Sequence, residues 1–323
     1  MKSMFKHAFI LLLTLNIPLG WCADTYPSKP ITVIVPFPAG GPVDQTMRLI
    51  GTKLSVSLGQ PIIIDNKSGA AGLLGANAVA KASPNGYTLL FSSVGALAIV
   101  PNIAPSMPYN PQKDLEAVTQ VVKVPTVLVV SVDSKYQTFN ELLNAARANP
   151  EKINYASAGS GTNTHLAVEL LKREAKISAN HIPYRGAAPA ISDLMGGQVD
   201  FMIADAPVVL PFIKAGKLRA LAVTSAKRIP VLKTTPTTAE LGYPKIEVYN
   251  WYGMLAPAKT PKEIVDQLYL AIKEAAQSPE LKTQFAEQGI EVVTSKPTDF
   301  GPFIFAETAR WGALAKSVGA KLD

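Results

Sequence analysis

Two short turns carry the chemistry most plainly written in this chain. Phe37-Pro38-Ala39-Gly40-Gly41-Pro42 and Ser68-Gly69-Ala70-Ala71-Gly72 each join an apolar, strand-like run to a stretch with helical spacing. A turn of small residues lets main-chain N–H groups approach a ligand, and the helix behind it adds unpaired first-turn donors and the positive end of its dipole. Two such turns could clamp one carboxylate without a charged side chain. Neither is a nucleotide loop: Gly69, Gly72 and Gly75 are spaced G-x-x-G-x-x-G, which misses the dinucleotide fingerprint, and no G-K-[S/T] follows either turn. Tight strand-to-helix packing is the competing reading of each turn taken alone.

Further polar turns follow the same plan. Ile153-Asn154-Tyr155-Ala156 reads as a strand opening into the run from Ser157 through Gly159, Ser160, Gly161, Thr162 and Asn163 to His165, with Leu166, Leu170 and Leu171 marking the helix behind it. His181-Ile182-Pro183-Tyr184 leads to Arg185-Gly186 and a helix to Met195, stopped by Gly196-Gly197. A strand from Val199 to Ile203 ends at Ala204-Asp205. His165, near a helix N-terminus, is disfavoured as a cation and reads as a neutral donor or as a packed core histidine. Arg185 reads as a ligand anchor, an ion-pair partner or a surface charge. Phe37 reads as a pocket edge or a core aromatic, and Asp205 as an acceptor for a ligand donor or a cap of the next turn. Asp44 would repel a carboxylate, so its predicted role is to cap and orient the first turn.

Catalysis has little to work with. Ser157 and Ser160 lie near His165 in sequence, but no G-x-S-x-G elbow surrounds either serine, and His165 and His181 lack metal-ligand spacing. Neither an enzymatic activity, a metal nor a cofactor is expected.

The elements that must position these turns alternate between strand and helix. Ile31 to Val35 is a β-branched run. Gly41 is a predicted N-cap, with Pro42 at the first helical position, Asp44 in the first turn and Met47, Ile50, Leu54 and Leu58 at helical spacing. Ile62-Ile63-Ile64 and Leu73 to Lys81 repeat the plan. Thr88 to Phe91 reads as a strand running into Ser92 and Ser93; the prolines at 101, 105, 108 and 111 predict irregular chain; Thr126 to Ser131 and Leu218 to Val223 are further strands. Phe139 to Arg147 reads as a helix, and the C-terminal portion as helical: Thr260-Pro261-Lys262-Glu263 reads as a capping box, Ser278-Pro279 starts a helix ending near Gly289, and Thr298 begins the last. This alternation predicts an α/β fold with mostly parallel sheets, whose ligand sites lie at the C-terminal ends of strands. The polar turns fall in two groups, before and after about residue 125, as two lobes facing one cleft would require.

The N-terminus predicts export. Lys2, Lys6 and His7 precede an apolar stretch from Ala8 to Leu15, broken by Pro18 and Gly20 before Cys22-Ala23, the layout of a secretory signal peptide over residues 1–23. The cut is placed after Cys22 or Ala23, which removes or isolates the only cysteine. Losing Lys2 and Lys6 lowers the formal net charge from +7 to +5, a mild positive balance that can steer anions. Basic residues occur in nothing longer than pairs such as Lys172-Arg173 and Lys227-Arg228, without interleaved aromatics, so nucleic acid is not a predicted partner.

Several runs resemble the Bug, or TctC-type, receptors, the periplasmic solute-binding proteins of tripartite tricarboxylate transporters. They are Tyr26-Pro27-Ser28-Lys29-Pro30-Ile31, Val35 to Gly41, Asn154 to Ser157 with Gly161, Thr162 and His165, Pro183-Tyr184-Arg185-Gly186, Gly196 to Asp200, and Leu218 to Thr224. The resemblance covers the whole mature chain. It implies a two-lobed periplasmic-binding-protein fold of type II kind, with residues 24–124 and 247–323 in one lobe and 125–246 in the other. By the same resemblance the protein is a monomer that closes on a small carboxylate and presents it to membrane permease subunits. Carried over by position, Phe37, Ala39, Gly40 and Gly41 hold a ligand carboxylate from one side and Ser68, Gly69, Ala70 and Gly72 from the other, with Ser92 and Ser93 completing that wall. Ser157, Ser160, Gly161, Thr162 and His165 form the opposite wall, with Asp205 near the distal end of the ligand and Asp44 and Arg185 behind the contacts. The run Ala204-Asp205-Ala206-Pro207 departs from the acidic pair many members carry, which weakens the case for an amino-acid ligand against a plain or aromatic acid. A receptor that signals to a sensor partner, and an exported hydrolase, are the alternative readings.

Overall fold

Apolar runs with both faces buried make the central strands, the outermost strands keep exposed residues, and amphipathic runs make the covering helices. The structure, a computed structural model, describes residues 26–322; the predicted signal peptide and Cys22 lie outside them. The order is β1 (Ile31–Val35), α1 (Pro42–Leu58), β2 (Ile62–Asn66), α2 (Leu73–Ala80), β3 (Thr88–Ser93), α3 (Val100–Ile103), β4 (Leu115–Ser131), α4 (Phe139–Ala148), β5 (Asn154–Ser157), α5 (Asn163–Ala175), β6 (Asn180–Pro183) and α6 (Ala187–Met195). It continues through β7 (Phe201–Asp205), α7 (Ala206–Lys214), β8 (Leu218–Val223), β9 (Tyr249–Pro257), α8 (Lys262–Gln277), α9 (Pro279–Glu287), β10 (Glu291–Val292) and α10 (Pro297–Ser317).

One strand path, β2-β1-β3-β9-β4-β7-β5-β6, joins the elements, with β8 and β10 also paired to β4. The sheet is mixed. Its outer strands are parallel, as the alternation predicts, whereas β9 runs antiparallel to β3 and β4, and β4 antiparallel to β7, β8 and β10. The 17-residue β4 changes partners along its length. It pairs with β9 as far as Pro125 opposite Tyr249, and with β7 from Thr126 opposite Asp205. Proline has no N–H to give a ladder, and the hand-over point is where a strand can tolerate one.

Three apolar clusters cover this sheet. Ile31, Val33, Val35, Phe91, Tyr252 and Met254 pack under α1 and α8, while Val127, Val129, Met202 and Ala204 pack under α6 and α7. The third runs continuously from Ile34, Leu90 and Leu255 past Trp251, Phe300 and Trp311 to Leu128, Tyr155 and Phe201. That core binds the two ends of the sheet together on the α10 side.

Several elements differ from the sequence expectation. Tyr249–Pro257, to which the sequence pattern assigns no element, is a strand buried along nearly its whole length. β4 begins at Leu115 rather than Thr126. The chain is helical from Val94 to Ile103 despite Pro101, with Gly95–Ile99 wound as a π-helix immediately ahead of the Val100–Ile103 turn that carries the proline. No capping box forms at Thr260: its hydroxyl donates to the Pro257 carbonyl at 2.7 Å, and Pro261 is the cap residue of α8.

Gly253 on β9 lies under the Phe300 ring. A β-carbon there would sit 2.2 Å from Phe300 Cζ and 3.0 Å from the Thr119 carbonyl oxygen. Gly253→Ala is therefore expected to lower stability by about 1–3 kcal/mol, as overpacked cores do, and Phe300→Leu in the same chain should recover part of the loss. Denaturant unfolding checks this; a Gly253→Ala protein as stable as its parent would contradict the packing.

Candidate ligand-binding cleft

Register alone brings the predicted turns face to face. β3 ends at Ser93 opposite Tyr252 of β9, and Tyr252 in turn lies opposite Val122 of β4. β7 runs against β4 and ends at Asp205, opposite Thr126. The C-terminal ends of β1 and β3 therefore point toward those of β5 and β7, across the place where β4 changes partners. Ligands of open α/β sheets bind at such strand ends.

The first turn is organised by Asp44, which is 1% exposed. Its Oδ2 accepts from the Gly40 N–H at 2.8 Å and from Arg48 Nε at 2.9 Å, and its Oδ1 accepts from Asn66 Nδ2 at 3.0 Å. Asn66 Nδ2 also donates to the Phe37 carbonyl at 3.1 Å, which ties β2 to the turn. The predicted orienting role of Asp44 thus has its geometry, and it changes the donor inventory. The Gly40 N–H faces Asp44, and the Gly41 N–H donates to the Pro38 carbonyl at 3.2 Å, so neither points outward. The outward donors left are those of α1's first turn, Val43 and Asp44, which have no intrahelical acceptor.

In the second turn, Ala70 (φ 46°), Ala71 (φ 50°) and Gly72 (φ 98°) are all left-handed. For the two alanines this costs roughly 1–2 kcal/mol each, so the surroundings must hold the conformation. Gly72 donates to the Gly69 carbonyl at 3.0 Å and Leu73 to that of Ala70; the Ala70 and Ala71 N–H groups have no partner within the turn. Gly72 is where the first wall meets: a β-carbon there would fall 2.8 Å from Ala96 Cβ and 3.4 Å from Phe37 Cζ. Phe37 is half-buried against that backbone, and Ser68 is exposed.

On the opposite wall, the run from Ser157 to His165 is bonded mainly to itself. Ser157 Oγ lies 2.6 Å from His181 Nε2, Thr164 accepts from the Ala158 N–H at 2.9 Å, and Thr162 Oγ1 donates to the Gly159 carbonyl at 2.7 Å. Thr162 also caps α5 by accepting from the His165 N–H. The Gly161 N–H donates to His165 Nδ1 at 3.3 Å, which leaves that nitrogen unprotonated. The His165 ring stacks on His181 with centroids 4.0 Å apart. His165 is thus both packed and an acceptor. Ser157, placed by sequence beside His165, pairs instead with His181, because His181 lies one strand over on β6, opposite Tyr155. The walls approach each other at Gly95, whose β-carbon would come 3.9 Å from the Gly161 carbonyl oxygen. Arg185 is exposed in the turn after β6.

Asp205 sits at the junction itself. Its Oδ2 accepts from Asn250 Nδ2 and from Tyr252 Oη, both at 2.8 Å, while Oδ1 is buried without a hydrogen-bond partner. Sequence spacing could not reveal Asn250 and Tyr252, which lie on a strand to which the sequence pattern assigns no element. Ser92 Oγ and both amide atoms of Asn163 are buried without a partner as well.

A family model described as the tripartite tricarboxylate transporter family receptor matches residues 46–320. The chain belongs to that receptor family. BugT of Bordetella pertussis is 40% identical over 314 residues, covering 97% of this chain and 96% of BugT. The structure of the periplasmic binding protein BugD superposes with a TM-score of 0.84 at 34% identity, over 92% of this chain and 99% of BugD. The R. palustris protein Rpa4515, solved with adipate, gives a TM-score of 0.87 at 35% identity, over 92% of this chain and 99% of its own. This receptor therefore has the α/β periplasmic-binding-protein fold.

Two buried acids of the receptor respond to pH in opposite directions. Burial alone would raise the Asp44 carboxyl, but hydrogen bonds from Arg48, Gly40 and Asn66 and the Arg48 charge hold it below the usual range. Its contribution is present at neutral pH and lost as pH falls through that lowered value. Burial pushes Asp205 up to about 6, against the pull of Asn250 and Tyr252. The folded protein keeps this proton to about pH 6 while the unfolded chain releases it near 4, so the Asp205 term weakens stability as pH rises from about 4 through 6. The shift corresponds to ~3 kcal/mol. Asp205→Asn removes that term, so its melting temperature relative to the parent should be higher at pH 7.5 than at pH 4.5. The same difference at both pH values would contradict the assignment.

Proposed function

We propose that this receptor, after export through its N-terminal leader, captures a small carboxylate as a monomer and delivers it to the membrane permease subunits of a tripartite tricarboxylate transporter. The cleft lies between two lobes, residues 24–124 with 247–323 and residues 125–246. The observation that carries this reading is the head-to-head approach of the strand ends, with free helix-start donors on one side and unpaired buried polar groups on both. A carboxylate docks on the first wall, against the Phe37–Gly41 turn, on the Val43 and Asp44 N–H groups that follow it and on the Ser68–Gly72 turn, with Ser92 and Ser93 beside it. The Ser157–His165 wall then closes over its other end. Closure follows from contacts that only the closed form makes to the ligand. The adipate of Rpa4515 supports a dicarboxylate among the candidates.

The reading is a receptor and not a hydrolase because Ser157, although bonded to a histidine, is fully buried. An acyl carbon has no route to its Oγ. Anion recognition rests on backbone dipoles at two helix starts, each charge-assisted hydrogen bond contributing roughly 1.5–3 kcal/mol.

A thermal-shift screen of di- and tricarboxylates, amino acids and aromatic acids tests this. Binding at 100 times Kd should stabilise the protein by about 2.7 kcal/mol. Gly69→Val, which places a branched side chain at φ 139° with its β-carbon 2.6 Å from Leu74 Cδ1, should weaken every acid that binds by about tenfold or more. A protein that no carboxylate stabilises would sink the function, and unchanged affinity in Gly69→Val would sink the clamp.

A further inference from the structure

Asn163 stands apart from every other polar side chain on its wall. Ser157, Thr162, Thr164 and His165 are all bonded within the turn or to β6, and Ser160 is likewise engaged. Asn163, the first residue of α5, is 3% exposed, and neither its Oδ1 nor its Nδ2 has a hydrogen-bond partner. A buried amide left unpaired is costly, so it is retained where something else completes it. Two other side-chain atoms on the converging strand ends share this condition: Ser92 Oγ at the end of β3, and Asp205 Oδ1 at the end of β7. The three come from both sides of the partner change in β4.

We propose that Asn163 is the specificity-determining side chain of this receptor, reading the half of the ligand that lies away from the glycine turns. This rests on the carboxylate reading above and names what the far half must offer. Asn163 presents two N–H donors and one acceptor, and Asp205 Oδ1 an acceptor alone; the Ser92 hydroxyl belongs to the first wall, beside the proximal carboxylate. A second carboxylate on the ligand only accepts, which leaves Asn163 Oδ1 and Asp205 Oδ1 unpaired. An ammonium only donates, which leaves Asn163 Nδ2 unpaired. A hydroxyl has a single O–H and leaves one of the two acceptors unpaired, whereas a carboxamide, with two N–H donors and one acceptor oxygen, completes the set. The selected class is therefore a carboxylate bearing a carboxamide in its distal half.

Matched ligand pairs test this by calorimetry: succinate against succinamate, and glutarate against glutaramate. The wild-type protein should prefer the amide-bearing member by about tenfold or more, since a site built to pair such a group rejects the analogue that lacks it. Asn163→Leu should collapse that ratio to within about threefold of unity, and the ligand-free variant should melt no lower than wild type, because an apolar group replaces an unpaired amide. An unchanged ratio in Asn163→Leu overturns the proposal, and a lower ligand-free melting temperature with the ratio intact assigns Asn163 to the scaffold instead. Wild-type binding of acids without preference within any pair overturns it too, whereas no binding of any acid defeats the carboxylate reading itself.

Discussion

The hand-over of β4 from β9 to β7 between Pro125 and Thr126 is the constraint on which the rest of the molecule depends. One strand serving two sets of partners forces the parallel strands on either side to end against each other. Their helix starts and glycine turns must then share one space. The junction is secured by Asp205, reaching from β7 to Asn250 and Tyr252 on β9, and by Thr126 bonded to Thr224 at 2.6 Å. A continuous core on the α10 side backs both. Relative motion of the two ends must pass through these few contacts.

The first wall shows how such a protein can attract an anion while keeping a buried acid nearby. Asp44 faces away from the cleft, held by Arg48 and Asn66, and fixes the Gly40 backbone. The charge is neutralised behind the turn. The second turn keeps two alanines in a conformation that glycine would adopt more easily. That conformation persists because Gly72 is wedged between Phe37 and Ala96, so the strain is held by packing at the same place where donors are needed.

Much of this was legible in the residue order, and what was not has a physical cause. Gly41-Pro42 with Asp44 announced α1 because caps and first-turn preferences are local. The Ser157–His165 turn announced itself by composition. β9 did not: Tyr249–Pro257 pairs with β3 and β4, more than a hundred residues earlier, and no local signal encodes so distant a partner. The same distance hid the attachment of Asp205, whose partners are 45 and 47 residues away. Asn163 was one polar residue in a polar run. What distinguishes it is having no partner, which only packing reveals.

Membership in the receptor family gives the fold and the general role, while the cleft between converging strand ends is the central structural claim about how that role is performed. A crystal structure of the protein grown with a dicarboxylate that binds in solution tests it most directly. The account predicts one carboxylate within hydrogen-bonding distance of the N–H groups at the start of α1 and in the Ala70–Gly72 turn, with the distal end of the ligand against Asn163. A ligand seated elsewhere, for example in the hollow of about 460 Å³ lined by Pro101, Met107, Tyr109 and Gln112, would contradict it.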